Sequence, residues 1–278
     1  MRSLTPAELD AYFARVAYTG PREPTLPVLH AITSAHTRSV PFENLDALLG
    51  TPIELTVDAL VDKIVHRRRG GYCFEQNGLF LEVLTALGFA VTPLSARVRL
   101  DRPREVVPPR THLFLRVDLD GETWLTDVGI GGVSLTCAIG WEPDGADEQR
   151  AQQTPHEPRR VVREGGKWFH QVRFGQQWAD VYEFTGEEMP LVDREVGNWY
   201  TSAHPQSHFR HRLMVARAGD QGRRLTLTDT ELKVRDRDGH AESTPIGSPD
   251  ELLTALDEHF GLRFAPGTRF APLTAAAT

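Results

Sequence analysis

With 278 residues, 40% of them hydrophobic and 25% charged, the chain has a soluble globular composition and enough length for two or three subdomains around a shared cleft. A formal net charge of -7 argues against a nucleic-acid binder, which would carry a basic stripe, but leaves room for an anionic small molecule held by a few local donors. There is no N-terminal apolar h-region and no run of membrane-span length, and two cysteines outside CxxC spacing suit a reducing compartment; the expectation is a cytoplasmic protein with no membrane partner.

The first ninety residues read as a helical bundle. Thr5-Pro6-Ala7-Glu8 combines a cap, a helix-compatible proline and a capping-box glutamate ahead of Leu9, Tyr12, Phe13 and Val16. A second stripe runs through Leu26, Val28, Leu29, Ile32 and Ala35, with His36 near its end. A third begins after Thr56 with Val57, Leu60, Val61, Ile64 and Val65. The fourth follows Arg69-Gly70-Gly71-Tyr72-Cys73-Phe74-Glu75: Leu79, Phe80, Val83, Leu84 and Leu87 form its stripe and Gly88 ends it. Cys73 therefore falls in a first helical turn, where the macrodipole and unpaired backbone N–H groups favour a thiolate. A buried structural thiol is the competing reading, and this segment alone leaves the two even. Arg69 is expected to brace the Gly-Gly turn, and Glu75 to support the site without acting as a base.

From about residue 91 the pattern becomes strand-like. Expected strands are 97–100, 113–119, 123–128, 134–139, 167–174 and 177–184, an antiparallel sheet or barrel. Asp120-Gly121 reads as a two-residue hairpin turn, so facing positions sum to 241 and Asp127 lies opposite Phe114. His112 then shares a face with Asp127 as its diagonal neighbour, roughly 7–8 Å away between Cα atoms. That register supplies a base and an orienter for a nucleophilic cysteine. Val128-Gly129-Ile130-Gly131-Gly132 follows, a loop whose backbone could approach a ligand closely or form an anion nest. Residues 141–160 are polar with three prolines and are expected to be a long surface connection. Cys137 is expected to serve packing. His204, His208 and His211 lack the setting of a zinc site, so no metal is expected. Strands at 212–217, 223–228 and 231–235 precede a helix opened by Ser248-Pro249-Asp250-Glu251, stabilised by Leu252, Leu253, Leu256 and Phe260 and ended by Gly261. The tail from Ala265 is expected to be loosely held.

Several stretches, in order, resemble the arylamine N-acetyltransferases of bacterial type: Pro41-Phe42-Glu43-Asn44-Leu45, the Arg69–Asn77 run, Thr111-His112, Asp127-Val128-Gly129, and the run from Asn198-Trp199-Tyr200 to His208-Phe209. The resemblance implies an α+β fold with a cysteine-protease-like core: a helical bundle (1–90), a β-barrel domain (91–205) and an α/β lid (206–278). It implies a catalytic Cys73, His112 and Asp127 triad and ping-pong transfer of acetyl from acetyl-CoA, a cosubstrate and not a tightly bound cofactor, to arylamines, arylhydrazines or N-hydroxyarylamines. Gly129, Gly131 and Gly132 are expected beside coenzyme A, and Phe42, Ile130 and Phe209 in the acceptor pocket. Ile130 departs from the phenylalanine many members carry there, so preference among amines is expected to differ. A homodimer is compatible with the resemblance. The rival readings are an amide synthase of the same family acting on a carrier-bound acyl chain, a cysteine hydrolase with the same triad order, and a non-enzymatic binding module.

Overall fold

A computed structural model describes residues 2–142 and 150–270. Helix α1 (Pro6–Arg15) starts with the expected box: the Thr5 hydroxyl accepts from the Glu8 N–H, and the Glu8 carboxylate accepts from the Thr5 N–H at 2.8 Å. Helix α2 (Leu26–Ser39) leads into a two-residue strand β1 (Phe42–Glu43) and a short α3 (Leu45–Leu49). Helix α4 (Val57–Leu60), capped by the Thr56 hydroxyl, widens directly into a π-helical stretch, Val61–His66. Helix α5 (Cys73–Ala86) is buried over almost its whole first half, where the polar Glu75, Gln76 and Asn77 are all hydrogen-bonded. Its Phe80 and Leu84 pack in one core with Tyr12, Leu29, Ile32 and Ile64, each burial contributing roughly 1.5–3 kcal/mol.

Seven antiparallel strands follow: β2 (Ala90–Val98), β3 (His112–Leu119), β4 (Glu122–Thr126), β5 (Ile139–Gly140), β6 (Arg159–Glu164), β7 (Lys167–Phe174) and β8 (Gln177–Glu188), in the spatial order β5-β4-β3-β2-β8-β7-β6. Gln152 nearly closes this sheet into a barrel. Its backbone bridges Arg159 at the start of β6, and its side-chain amide exchanges two hydrogen bonds with the Gly140 backbone on β5. The β3–β4 register pairs Leu115 with Thr126 and Leu119 with Glu122, the sum of 241 that the turn dictates; Asp120 and Gly121 both have positive φ, as a type I′ turn needs.

Helix α6 (Leu191–Ala203) connects to a second sheet of β9 (Met214–Ala218), β10 (Arg224–Thr228), β11 (Glu231–Arg235) and β12 (Ala241–Pro245), covered by α7 (Pro249–Phe260). Its order is β1-β9-β10-β11-β12, so β1, from the helical part of the chain, is an edge strand of the C-terminal sheet.

Four expectations need correction. Residues 134–138 are not strand, because the Leu135 N–H goes to the Asp127 carbonyl and the Ala138 N–H to His30 Nδ1, leaving no ladder until Ile139. The expected surface connection 141–160 is buried at its described ends: Trp141, Thr154, His156 and Glu157 lie inside, and Arg159 already opens β6. Its residues 143–149 lie outside the described chain. Strand β12 and helix α6 were not anticipated; α6 turns Val192, Val196 and Trp199 outward and buries Arg194, Gly197, Asn198 and Thr201, the reverse of a readable apolar stripe. The tail is held at Phe270, which is buried against Phe264; residues 271–278 lie outside the described chain.

Candidate active site

Cys73 is the first residue of α5, and the preceding turn is built to hold it there. The Arg69 guanidinium pairs with Glu43 and Asp46, and Lys63 bridges Asp46 and Glu75 at 2.6 Å each. Glu75 in turn accepts the Tyr72 N–H at 3.1 Å, closing the helix N-terminus. Burial raises the Glu75 pKa and the Lys63 ammonium opposes that rise, so Glu75 is a structural partner and not a free base. Both glycines are sterically required. A Cβ on Gly70 would stand 1.9 Å from the Pro41 carbonyl oxygen, and one on Gly71 would stand 2.8 Å from Glu75.

His112 begins β3 and Asp127 directly follows β4, and both are fully buried. His112 Nε2 lies 2.7 Å from Asp127 Oδ2, and the neighbouring Cys73 sulfur donates to the Thr111 carbonyl at 3.7 Å. Burial works against a charge on His112, but the Asp127 carboxylate and the Cys73 thiolate outweigh it and push the His112 pKa up to about 10. Cys73, His112 and Asp127 thus stand in one row, with Cys73 and His112 opening on a cleft of about 480 Å³. Such an arrangement can hold a thiolate beside an imidazolium and return the proton later.

Asn77, one helical turn after Cys73, is the residue that reading the chain passed over. Its Nδ2 donates to Asp127 Oδ1 at 2.8 Å and to the Leu113 carbonyl at 2.7 Å, and its Oδ1 accepts the Val128 N–H. It thereby ties α5 to β3 and to Asp127. The i+4 spacing from Cys73 was the available signal.

The 129–132 loop lines the cleft, but it is no open anion nest. The Gly129 N–H is taken by Asp127 Oδ1 and the Ile130 N–H by the Ser134 hydroxyl. Gly129 also packs against Cys73: a Cβ there would lie 2.7 Å from Cys73 Cα. Gly131, at φ +75°, supplies the turn, and a Cβ on Gly132 would meet Thr226 at 2.9 Å. Phe42, Ile130 and Phe209 all line the cleft, with the Phe42 and Phe209 rings 6.3 Å apart. His208 reaches it as well, while His204 stacks on Tyr200 and His211 bonds the Pro205 carbonyl; among the described residues no group of three or more His, Cys, Asp or Glu side chains could hold a metal. Cys137 stands apart on the loop before β5, where burial pushes its pKa up to about 11 and makes it a poor thiolate.

A family model described as N-acetyltransferase matches residues 25–268, which places the chain among the acyltransferases. The chain is 41% identical to the arylamine N-acetyltransferase / N-hydroxyarylamine O-acetyltransferase of Salmonella typhimurium, over 91% of this chain and 88% of that protein. It is 42% identical to the arylamine N-acetyltransferase of Mycolicibacterium smegmatis, over 92% of each. Its fold matches the solved Salmonella typhimurium enzyme with a TM-score of 0.88 over 98% of both chains at 37% identity. It matches the Mycobacterium marinum enzyme in complex with CoA with a TM-score of 0.87, also at 37% identity, over 96% of this chain and 97% of that one. The chain belongs to the arylamine N-acetyltransferase family.

Proposed function

We propose that this chain transfers acetyl from acetyl-CoA to arylamines through a thioester on Cys73. The supporting observation is the buried row of Cys73, His112 and Asp127 opening on a cleft with aromatic and aliphatic walls. In this reading the Cys73 thiolate attacks the thioester carbonyl, and the coenzyme thiolate leaves and takes up the proton of the His112 imidazolium, which becomes neutral. The acetyl-Cys73 thioester is then attacked by the amine nitrogen. His112 accepts the amine proton as the C–N bond forms, and Cys73 leaves as thiolate. Asp127 fixes the imidazole orientation, and the Cys73 N–H at the start of α5 faces the oxyanion. Phe42, Ile130 and Phe209 act as acceptor-pocket walls, and Gly131 and Gly132 allow the donor to approach. Residues 1–90 deliver the nucleophile, 91–205 the base and orienter, and 206–278 a lid; Thr226 and Thr228 at the cleft support the last role. The enzyme works in the cytoplasm with both thiols reduced.

Intact-mass analysis tests this directly. Acetyl-CoA without acceptor is expected to add one acetyl group, located on Cys73 by peptide mapping and discharged by an added arylamine. No adduct, or one only on Cys137, overturns the mechanism. An adduct that water discharges and whose lifetime no added amine shortens favours a hydrolase.

A further inference from the structure

Behind the active site, the barrel interior carries a second row of polar side chains that the acetyl-transfer mechanism does not use. Arg159 on β6 pairs with Val172 on β7, and His170 on β7 pairs with Tyr182 on β8. His170 and Val172 are two residues apart, so Arg159, His170 and Tyr182 share one inward face on three adjacent strands. The His170 and Tyr182 rings are 4.8 Å apart, and Tyr182 lies 5.1 Å from the His112 ring. All three side chains are essentially inaccessible, with Arg159 at 1% exposure and the other two at 0%.

Their hydrogen-bonding capacity is largely unmet. Arg159 spends one nitrogen on Glu157 at 3.0 Å, while its Nε and second terminal nitrogen have no acceptor among the described residues. Both ring nitrogens of His170, the Tyr182 hydroxyl and the Trp141 indole nitrogen are also without partners there. Buried donors are almost always paired, so a concentration of orphans on one face points to something they share. The charge balance points the same way. Glu157 is the carboxylate for Arg159, Arg224 and Arg235 together, three guanidiniums on one acid. The other titratable groups facing the cluster are His156, whose charge burial and Arg224 disfavour, and Cys137, whose thiol burial keeps protonated. Toward the cleft, His112 and Asp127 already satisfy each other. A water molecule would accept from these donors but leave the positive surplus standing; an anion answers both.

We propose that the barrel interior holds a small monovalent anion of the halide class, bound by Arg159, His170 and Tyr182. The site is distinct from the cleft and does not depend on the acetyl-transfer reading. Such an ion would neutralise Arg159.

Bromide-soaked crystals of the whole protein test this by anomalous scattering. A peak within hydrogen-bond distance of Arg159 Nε or its free terminal nitrogen is the expected result. Only an ordered water at that position, a side chain of the chain itself there, or a bromide found solely elsewhere overturns the proposal. In solution, thermal unfolding is followed as chloride replaces gluconate at constant ionic strength. The midpoint should rise with the logarithm of chloride once the site saturates. His170→Phe, which removes one donor and keeps a ring, should weaken the rise, and Arg159→Met should abolish it. An identical chloride response in wild type and His170→Phe counts against the site. If Arg159→Met does not fold, the wild-type bromide map still decides.

Discussion

At the scale of single residues, the site depends on how many bonds hold Asp127 and not only on its charge. One oxygen faces His112; the other is clamped by Asn77 and the Gly129 N–H. Asp127→Asn keeps the shape but favours the wrong imidazole tautomer, an exchange that costs about 10⁴-fold in a serine protease triad. Asn77→Ala is expected to cost less, about 10–100-fold in kcat/KM, because Asp127 keeps its charge and loses one clamp while the His112 geometry loosens. Iodoacetamide labelling of Cys73 should slow in both variants, and near-normal turnover in Asp127→Asn would show that another group orients the ring. The glycines of the adjoining loop separate into two kinds. Gly129→Ala drives a methyl into the Cys73 backbone, so it should slow Cys73 labelling and impair both substrates together, not acetyl-CoA selectively as the chain alone suggested. Gly131→Ala meets the Phe42 ring at an ordinary 3.6 Å and costs only its left-handed backbone, about 1–2 kcal/mol, so labelling should persist. Equal loss of labelling in the two variants would refute this division.

At the scale of elements, the helix that begins with Cys73 is placed by the turn before it. Gly70 has the Pro41 carbonyl where a Cβ would go, so Gly70→Ala must push the turn away from β1 and the edge of the C-terminal sheet. A destabilisation of about 1–3 kcal/mol is expected in urea unfolding, as for other forced overpacking; an unchanged midpoint would mean that the turn yields freely. The elements legible in the chain were those whose signal is local. The Thr5 capping box, the α5 stripe and the Asp120-Gly121 turn each carry their geometry in a few adjacent residues, and the hairpin register alone sets His112 and Asp127 on one face. What stayed hidden depends on partners far along the chain. Residues 134–138 look like a strand until His30 takes the Ala138 N–H. Helix α6 faces its apolar residues outward, and Glu157 sits in a polar stretch that reads as surface because its guanidinium partners lie on β6, β10 and β11. Asn77 was in view within a recognised motif, but its clamp on Asp127 required the packing of α5 against β3.

At the scale of the whole molecule, the fold buries several histidines in their neutral form, and this fixes how it responds to acid. His36 sits between the Tyr12 hydroxyl and the Gln76 amide inside the helical part, and burial lowers its pKa to about 3. Burial lowers His156 to about 4, and His170 in the barrel well below its ordinary value. In the unfolded chain each would take a proton near pH 6.5. Between about pH 6.5 and 5 the unfolded state therefore binds protons that the folded state refuses, and stability falls as pH falls. Each fully titrating group adds a slope of up to about 1.4 kcal/mol per pH unit. His112 has the opposite displacement: its stabilising contribution is complete below pH 6.5 and is lost as pH rises through about 10, so it adds no slope in the acid window. Carboxylates held low, such as Glu157, begin to contribute only below about pH 4.5, where their unfolded counterparts protonate. Burial lowers His30 and His208 as well, so urea unfolding at pH 6.5, 6.0, 5.5 and 5.0 should show a falling stability carried by these histidines together. His36→Gln retains a hydrogen-bonding side chain without a titrating ring and should make that slope shallower, at some cost in stability at pH 7. A slope unchanged by His36→Gln would mean that His36 takes up its proton without unfolding the bundle, and the acid response would then have to originate in the barrel.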